Sequence, residues 1–148
     1  MKTRTLILLA AACGVAILVA GGVFIWRVTA NRDELTVPEI RSPGQSQQVG
    51  DVTATVAGSA DVGSVVVVKV QLESGKDRPD AGAGWSLVVI GEATARRPVA
   101  IPDGQGTACA GMPLVANQAV ACSLAFPAGD GDRIVALAVG DVQRQWKL

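Results

Sequence analysis

The sequence predicts an all-β domain, about seven strands in two packed sheets, preceded by one N-terminal transmembrane helix. Three observations predict it. Residues 5–26 form a run of 22 residues without a charge. From residue 49 the apolar side chains recur at every second position, the period of a strand and not of a helix. Gly-, Pro- and Asp-rich clusters interrupt these runs every 8–12 residues or so, as in a sandwich or small barrel.

The first run reads TLILLAAACGVAILVAGGVFIW. At about 1.5 Å of rise per residue, such a helix crosses a hydrocarbon layer roughly 30 Å thick. Lys2 and Arg4 precede it without a nearby acid, and Trp26 and Arg27 close it with an interfacial aromatic and a cation. This bias places the N-terminus in the cytoplasm and the remainder outside. An uncleaved signal anchor fits best. A cleaved signal peptide has against it the length of the run and the lack of an A-x-A site. A lipoprotein acylated at Cys13 has against it the alanines before that cysteine, where a leucine is expected three positions earlier. Gly14, Gly21 and Gly22 would allow close approach of a neighbouring helix, although small residues are common in such segments.

Residues 28–48, VTANRDELTVPEIRSPGQSQQ, hold two prolines, a Pro-Gly turn signal and many polar groups. This composition reads as a flexible linker, partly extended before each proline. The expected organisation is therefore 1–27 cytoplasmic tip and transmembrane anchor, 28–48 linker, and 49–148 extracytoplasmic sandwich.

The strands follow in order. DVTATVA (51–57) alternates Val52, Ala54 and Val56 with two threonines. SVVVVKVQL (64–72) sets Val66, Val68, Val70 and Leu72 on one face; Val65, Val67, Lys69 and Gln71 form a half-exposed opposite row. WSLVVI (85–90) and a short RPVAI (97–101) come next. AVACSLAF (119–126), RIVALAV (133–139) and VQRQWKL (142–148) complete the set. Trp85, Phe126 and Trp146 are the expected aromatic filling of the core.

Cys109 lies in the loop before the 119–126 strand, and Cys122 on that strand's apolar row. A disulfide between them closes a loop of about 14 residues, worth roughly 3 kcal/mol in the chain-entropy model. Such a bond persists in an oxidising compartment, which agrees with an external domain. Two free thiols are the alternative.

Charge and composition narrow the function classes. Net charge is zero overall, but from residue 31 onward 10 basic face 13 acidic residues. A weakly acidic domain is a poor match for nucleic acid, which needs clustered cations. Arg96-Arg97 reads as solvated turn charge. The chain has no histidine and no tyrosine. Ser-His-Asp, Cys-His and His-containing zinc sites are therefore impossible. GDGDR (129–133) has the look of a calcium-loop fragment without the closing ligands, and otherwise of a Gly-Asp hairpin turn. Neither catalytic residues, nor a metal site, nor a cofactor is expected.

VGDVTATV (49–56), VVVVKVQLES (65–74), VANQAVACSLAFP (115–127) and Trp146 together resemble a family of small membrane-anchored or lipidated bacterial proteins with an immunoglobulin-like domain. Its members have no known function, and often carry a telomeric-repeat-binding name that does not describe them. The likeness spans roughly 49–148, with Asn117-Gln118 where the family has Pro-Gly. It implies an immunoglobulin-like sandwich and an extracytoplasmic site. The Ala/Gly/Val/Arg-rich composition is similar to that of actinobacterial proteins. A weaker resemblance is to small accessory proteins of mycobacterial lipid exporters. The expected function is a non-enzymatic accessory or interaction subunit of a larger membrane-protein complex, single-pass in the plasma membrane. A small-ligand or lipid-binding module of the cell envelope is the alternative.

Overall fold

Valine, branched at Cβ and stiff at χ1, favours the pleated backbone. The densest valine run of this chain, residues 65–68, lies in a strand interior to its sheet. The computed structural model describes residues 39–148, with Gly14 and Val19 from the N-terminal part, both helical. By internal contacts the chain divides into Met1–Val37 and Pro38–Leu148. The expected transmembrane run is otherwise outside the described residues, among which no helix is long and apolar enough to cross a membrane.

The described strands are β1 (Ile40–Arg41), β2 (Ser46–Val49), β3 (Val52–Val62), β4 (Val65–Ser74), β5 (Trp85–Val89), β6 (Ala119–Pro127), β7 (Arg133–Val139) and β8 (Val142–Lys147). They form two four-stranded sheets, ordered β1-β8-β7-β5 and β2-β3-β4-β6. Every neighbouring pair is antiparallel except β1 with β8.

The inward rows follow the alternation read from sequence. Val52, Ala54 and Val56 of β3, Val66, Val68, Val70 and Leu72 of β4, and Cys122, Leu124 and Phe126 of β6 are all buried. They belong to one core with Trp85, Leu87, Val135, Leu137 and Trp146. Each aliphatic side chain so enclosed is worth about 1.5–3 kcal/mol over leaving it in water. Trp85 and Trp146 lie with ring centroids 5.8 Å apart and planes tilted by 34°.

Five expectations about the fold are corrected. First, ordered structure starts before residue 49: β1 and β2 fall in the stretch read as linker. Tertiary bonds hold them, since Trp146 Nε1 donates to Gln45 O at 2.9 Å and Gln47 Nε2 to Gln145 O at 2.9 Å. Second, β3 continues to Val62 instead of turning at Gly58. A bulge between Val56 and Gly58 resets its register, so that Ser59 and Asp61, not the even positions, now lie opposite the inward residues Val68 and Val66.

Third, residues 97–101 are not a strand. Arg96 bridges Leu87 on the β5 edge, and Val99 bridges Ala125 on the β6 edge. The segment thus passes from one sheet to the other after a single bridge to each, and Pro98 between them has no N–H to continue a ladder. Fourth, the outer row of β4 is not evenly half-exposed. Val67 is buried at 2%, as are Ser123 and Ala125 on the outer row of β6. Those two β6 residues are bridged by Ala108 and Val99. Fifth, residues 128–132 link strands of different sheets, so GDGDR is a crossover and not a hairpin turn.

Gly84 precedes β5 with φ +82°, and a Cβ there would stand 2.2 Å from Ala138 O. Gly84→Ala is therefore expected to cost about 2–3 kcal/mol, from left-handed strain and main-chain displacement. A urea melt checks it; a loss under about 0.5 kcal/mol contradicts it.

Candidate functional site

The loops 75–84 and 107–118 lie side by side at one end of the sandwich. Arg78 and Leu114 exchange two main-chain hydrogen bonds of 2.8 and 2.9 Å. Asp80 Oδ1 accepts the amides of Gly82 (2.8 Å) and Gly111 (2.9 Å), and Asp77 Oδ1 that of Ala116 (2.8 Å). The Cys109–Cys122 disulfide fastens this loop pair to β6, with Cα atoms 5.1 Å apart. Cys109 is fully buried and Cys122 is 5% exposed. The bond therefore sits inside the core, with the Cys109 amide donating to Ser123 O at 3.0 Å.

Asp51, in the β2–β3 turn, accepts a hydrogen bond from the Arg78 guanidinium. That bond holds its carboxyl below the ordinary value of 3.8. A depressed carboxylate contributes stability that is present above the unfolded value and is lost as pH falls through the folded one. Asp51→Asn is accordingly expected to lower the melting temperature slightly at pH 7, as a half-buried pair in contact with solvent allows, and to converge with the parent in acid, so that its decline below about pH 4 is flatter. Melting scans from pH 7 to pH 2 check it; parallel acid branches contradict it.

At the opposite end, Asp61 binds Arg133 of β7. The hydrogen bond from Arg133 to this carboxylate raises the Arg133 pKa above its usual value. Arg96 is not loose turn charge. Its Nε donates to Glu92 Oε2 at 3.0 Å, and its Nη1 donates to Pro127 O at 3.0 Å and to Ala128 O. The guanidinium so clamps the β6–β7 crossover, and a Cβ on Gly129 would strike it at 2.8 Å. Asp61, Arg96, Asp130 and Arg133 line a polar cleft of about 420 Å³. Its two guanidiniums are each matched by a carboxylate, so it offers little net field to a ligand. Nothing local announces this arrangement, because the partners of Arg96 in the crossover lie 31 and 32 residues away.

A second cleft, about 520 Å³, lies on the outer face of the β2-β3-β4-β6 sheet between Lys69, Gln71, Ser123 and the loop 104–107. A third, about 530 Å³, opens at the β5 edge beside Trp85, Ala95, Arg97 and Pro98. Between the sheets, the space lined by Val52, Leu72, Trp85, Leu114 and Leu137 amounts to about 10 Å³, room for one water at most.

The residues singled out from sequence divide into two groups. Cys109, Cys122, Trp85, Phe126 and Trp146 are brought together in the core, at 5% exposure or less. Gly14 is exposed and a Cβ there would meet nothing within 4 Å, whereas Gly21 and Gly22 lie outside the described residues. Among the described residues, no three acidic or cysteine side chains gather as a metal site requires.

No known protein family matches this sequence, and no curated protein does. Solved structures do. The yjhA protein from Bacillus subtilis aligns over 74% of this chain and 99% of its own, with 17% identity and a TM-score of 0.62. MPT63, a secreted protein from Mycobacterium tuberculosis, aligns over 76% and 99%, with 12% identity and a TM-score of 0.58. The ycdA protein of Bacillus subtilis, named as a lipoprotein, aligns over 74% of this chain but 39% of its own, with 13% identity and a TM-score of 0.56. At such identities the likeness is one of fold, and this chain shares its two-sheet β architecture with all three.

Proposed function

We propose that this chain is a non-enzymatic, membrane-anchored extracytoplasmic module that serves as an accessory or interaction subunit of a larger membrane-protein assembly. The observation that carries the reading is the buried Cys109–Cys122 disulfide. It is a core bond of a small domain, and bonds of this kind are kept where the surroundings oxidise. The uncharged run at 5–26 supplies the single-pass anchor, with Lys2 and Arg4 on the cytoplasmic side. The sandwich is immunoglobulin-like in this reading: two sheets over one apolar core, joined by crossovers between them. Its fold neighbours include a secreted protein and one named as a lipoprotein, which agrees with a place in the cell envelope. The 10 Å³ between the sheets beside Trp85 favours docking over enclosing a lipid chain.

Two measurements test it. A cysteine placed at the exposed Val115 should react with a membrane-impermeant maleimide in intact cells; labelling only after lysis overturns the topology. In native gels of mildly solubilised membranes, the chain should migrate with a larger assembly, and migration as a lone 15.1 kDa polypeptide in its micelle overturns the accessory role.

A further inference from the structure

Beyond its bulge, β3 has a partner strand on one side only. β2 accompanies it from Val52 to Thr55, and the Gly44 amide, donating to Val56 O at 2.6 Å, makes the last bond on that edge. On the other side the ladder with β4 continues to Val62. Two observations fix where the main chain of 58–62 points. Gly63 (φ +61°) and Ser64 form a two-residue turn, whose flanking residues Val62 and Val65 are a hydrogen-bonded pair. The Ala128 amide donates to Ser64 O at 2.8 Å, so the even positions of β4 face β6, and Val65, Val67 and Lys69 face β3. Gly58, Ala60 and Val62 therefore bond to β4, whereas Ser59 and Asp61 turn their N–H and C=O groups outward. Both residues are exposed, and among the described residues nothing bonds those outward groups.

This edge is undefended. Natural sheet edges are blunted by lysine, proline or a covering segment. Here the β6 edge is crossed by Val99 and Ala108, and the β5 edge by Arg96. The open part of β3 has neither lysine nor proline, and its one charge, Asp61, is bound to Arg133. The bulge precedes the open stretch and does not interrupt it.

We infer that this edge is the interface between two copies of the chain, paired antiparallel about a two-fold axis at Ala60. In that register the stretch is self-complementary. Ser59 of each copy exchanges both main-chain bonds with Asp61 of the other, and its hydroxyl stands opposite that carboxylate as a donor. Ala60 meets Ala60 as a non-hydrogen-bonded pair, with Cα atoms about 4.5 Å apart. An axis at Asp61 would oppose two carboxylates. An axis at Ser59 would drive Val62 against Val56, whose carbonyl Gly44 already holds. With the axis at Ala60, Thr55, where the pairing with β2 begins, falls beyond Gly63 of the other copy, so β2 does not obstruct. The two β2-β3-β4-β6 sheets become one. Residues 58–62 alone bury less than a standard interface, so the dimer is weak and forms as concentration rises. It goes beyond the accessory reading and does not depend on it.

The test uses the full chain in detergent micelles. On a Cys13→Ala background, Ala60→Cys should oxidise to a linked dimer, because the two Cβ atoms meet across the axis. Thr53→Cys, exposed on the same strand but flanked by β2, should stay monomeric. Equal cross-linking of the two overturns the interface. In the parent, hydrogen exchange at the Ser59 and Asp61 amides, read by NMR, should slow as protein concentration rises. Ala60→Lys, an exposed substitution that sets like charges face to face at the axis, should abolish that slowing and leave the melting temperature of the dilute protein unchanged. Exchange that is equal at every concentration, or slowing that survives Ala60→Lys, overturns the interface. Association elsewhere on the chain leaves those two amides fast and overturns it too. Native-gel migration tests the accessory role and these amides test the dimer, so either fails without the other.

Discussion

Trp146→Ala is expected to remove about 3–5 kcal/mol of folding stability, the largest loss of any single truncation in this domain. Trp146 is fully buried in β8, its ring rests on Trp85, and its Nε1 holds Gln45 O at 2.9 Å. Truncation therefore opens a cavity, strips an aromatic partner from Trp85, and leaves the Gln45 carbonyl without its donor. Small domains have about 5–15 kcal/mol in all, so a large share of the molecules should unfold near 37 °C. Trp146→Phe separates the contributions, because it keeps most of the bulk and drops the N–H. Its expected cost is about 1–2 kcal/mol. Urea melts followed by Trp85 fluorescence measure both. An alanine variant within 1 kcal/mol of the parent, on the scale of a single net hydrogen bond, would show that β1 and β2 are held by something other than this indole.

Loss of the disulfide comes next. Cys109→Ala with Cys122→Ala, or reduction of the parent in denaturant followed by refolding, should cost about 3 kcal/mol, from the freed entropy of a 14-residue loop. In a domain near 100 residues this lowers the melting temperature by roughly 12–24 °C. The penalty should concentrate in the loops 75–84 and 107–118, which hang on β6 through that bond. Hydrogen exchange there should rise well before exchange in β4. With both cysteines buried, reductant added to the folded protein should act slowly, at the pace of opening. Equal melting curves for the parent and the Cys109→Ala/Cys122→Ala variant would contradict the assignment of the bond as a structural element.

The strands that could be read from sequence are those whose neighbours in space are also alternating apolar runs. In β3 up to Val56, β4 from Val68 and β5 every second residue is buried, so the period of two is their signature, whereas β6 and β7 are legible as apolar runs buried on both rows. β1 and β2 escape that test. Their Ile-Arg and Ser-Gln-Gln-Val sequences are short and polar, and the groups that fix them lie about 100 residues away at Gln145 and Trp146. The 97–101 segment fails for the opposite reason: its alternation is genuine, but Pro98 prevents a ladder. The cysteine pair was legible because cysteines are few here and these two are close in sequence. The β5-edge cleft was not, since it depends on the register of Arg96 against Leu87, which no local pattern encodes.

β1 runs parallel to β8, with Ile40 opposite Gln145 and Arg41 opposite Trp146. A pull between residues 39 and 148 therefore acts along these two strands in opposite senses, loading their hydrogen bonds in shear. Bonds sheared together resist as a group, whereas those of a peeled hairpin break in succession. The parallel clasp thus sets the first strand to share such a load with the last instead of peeling from it.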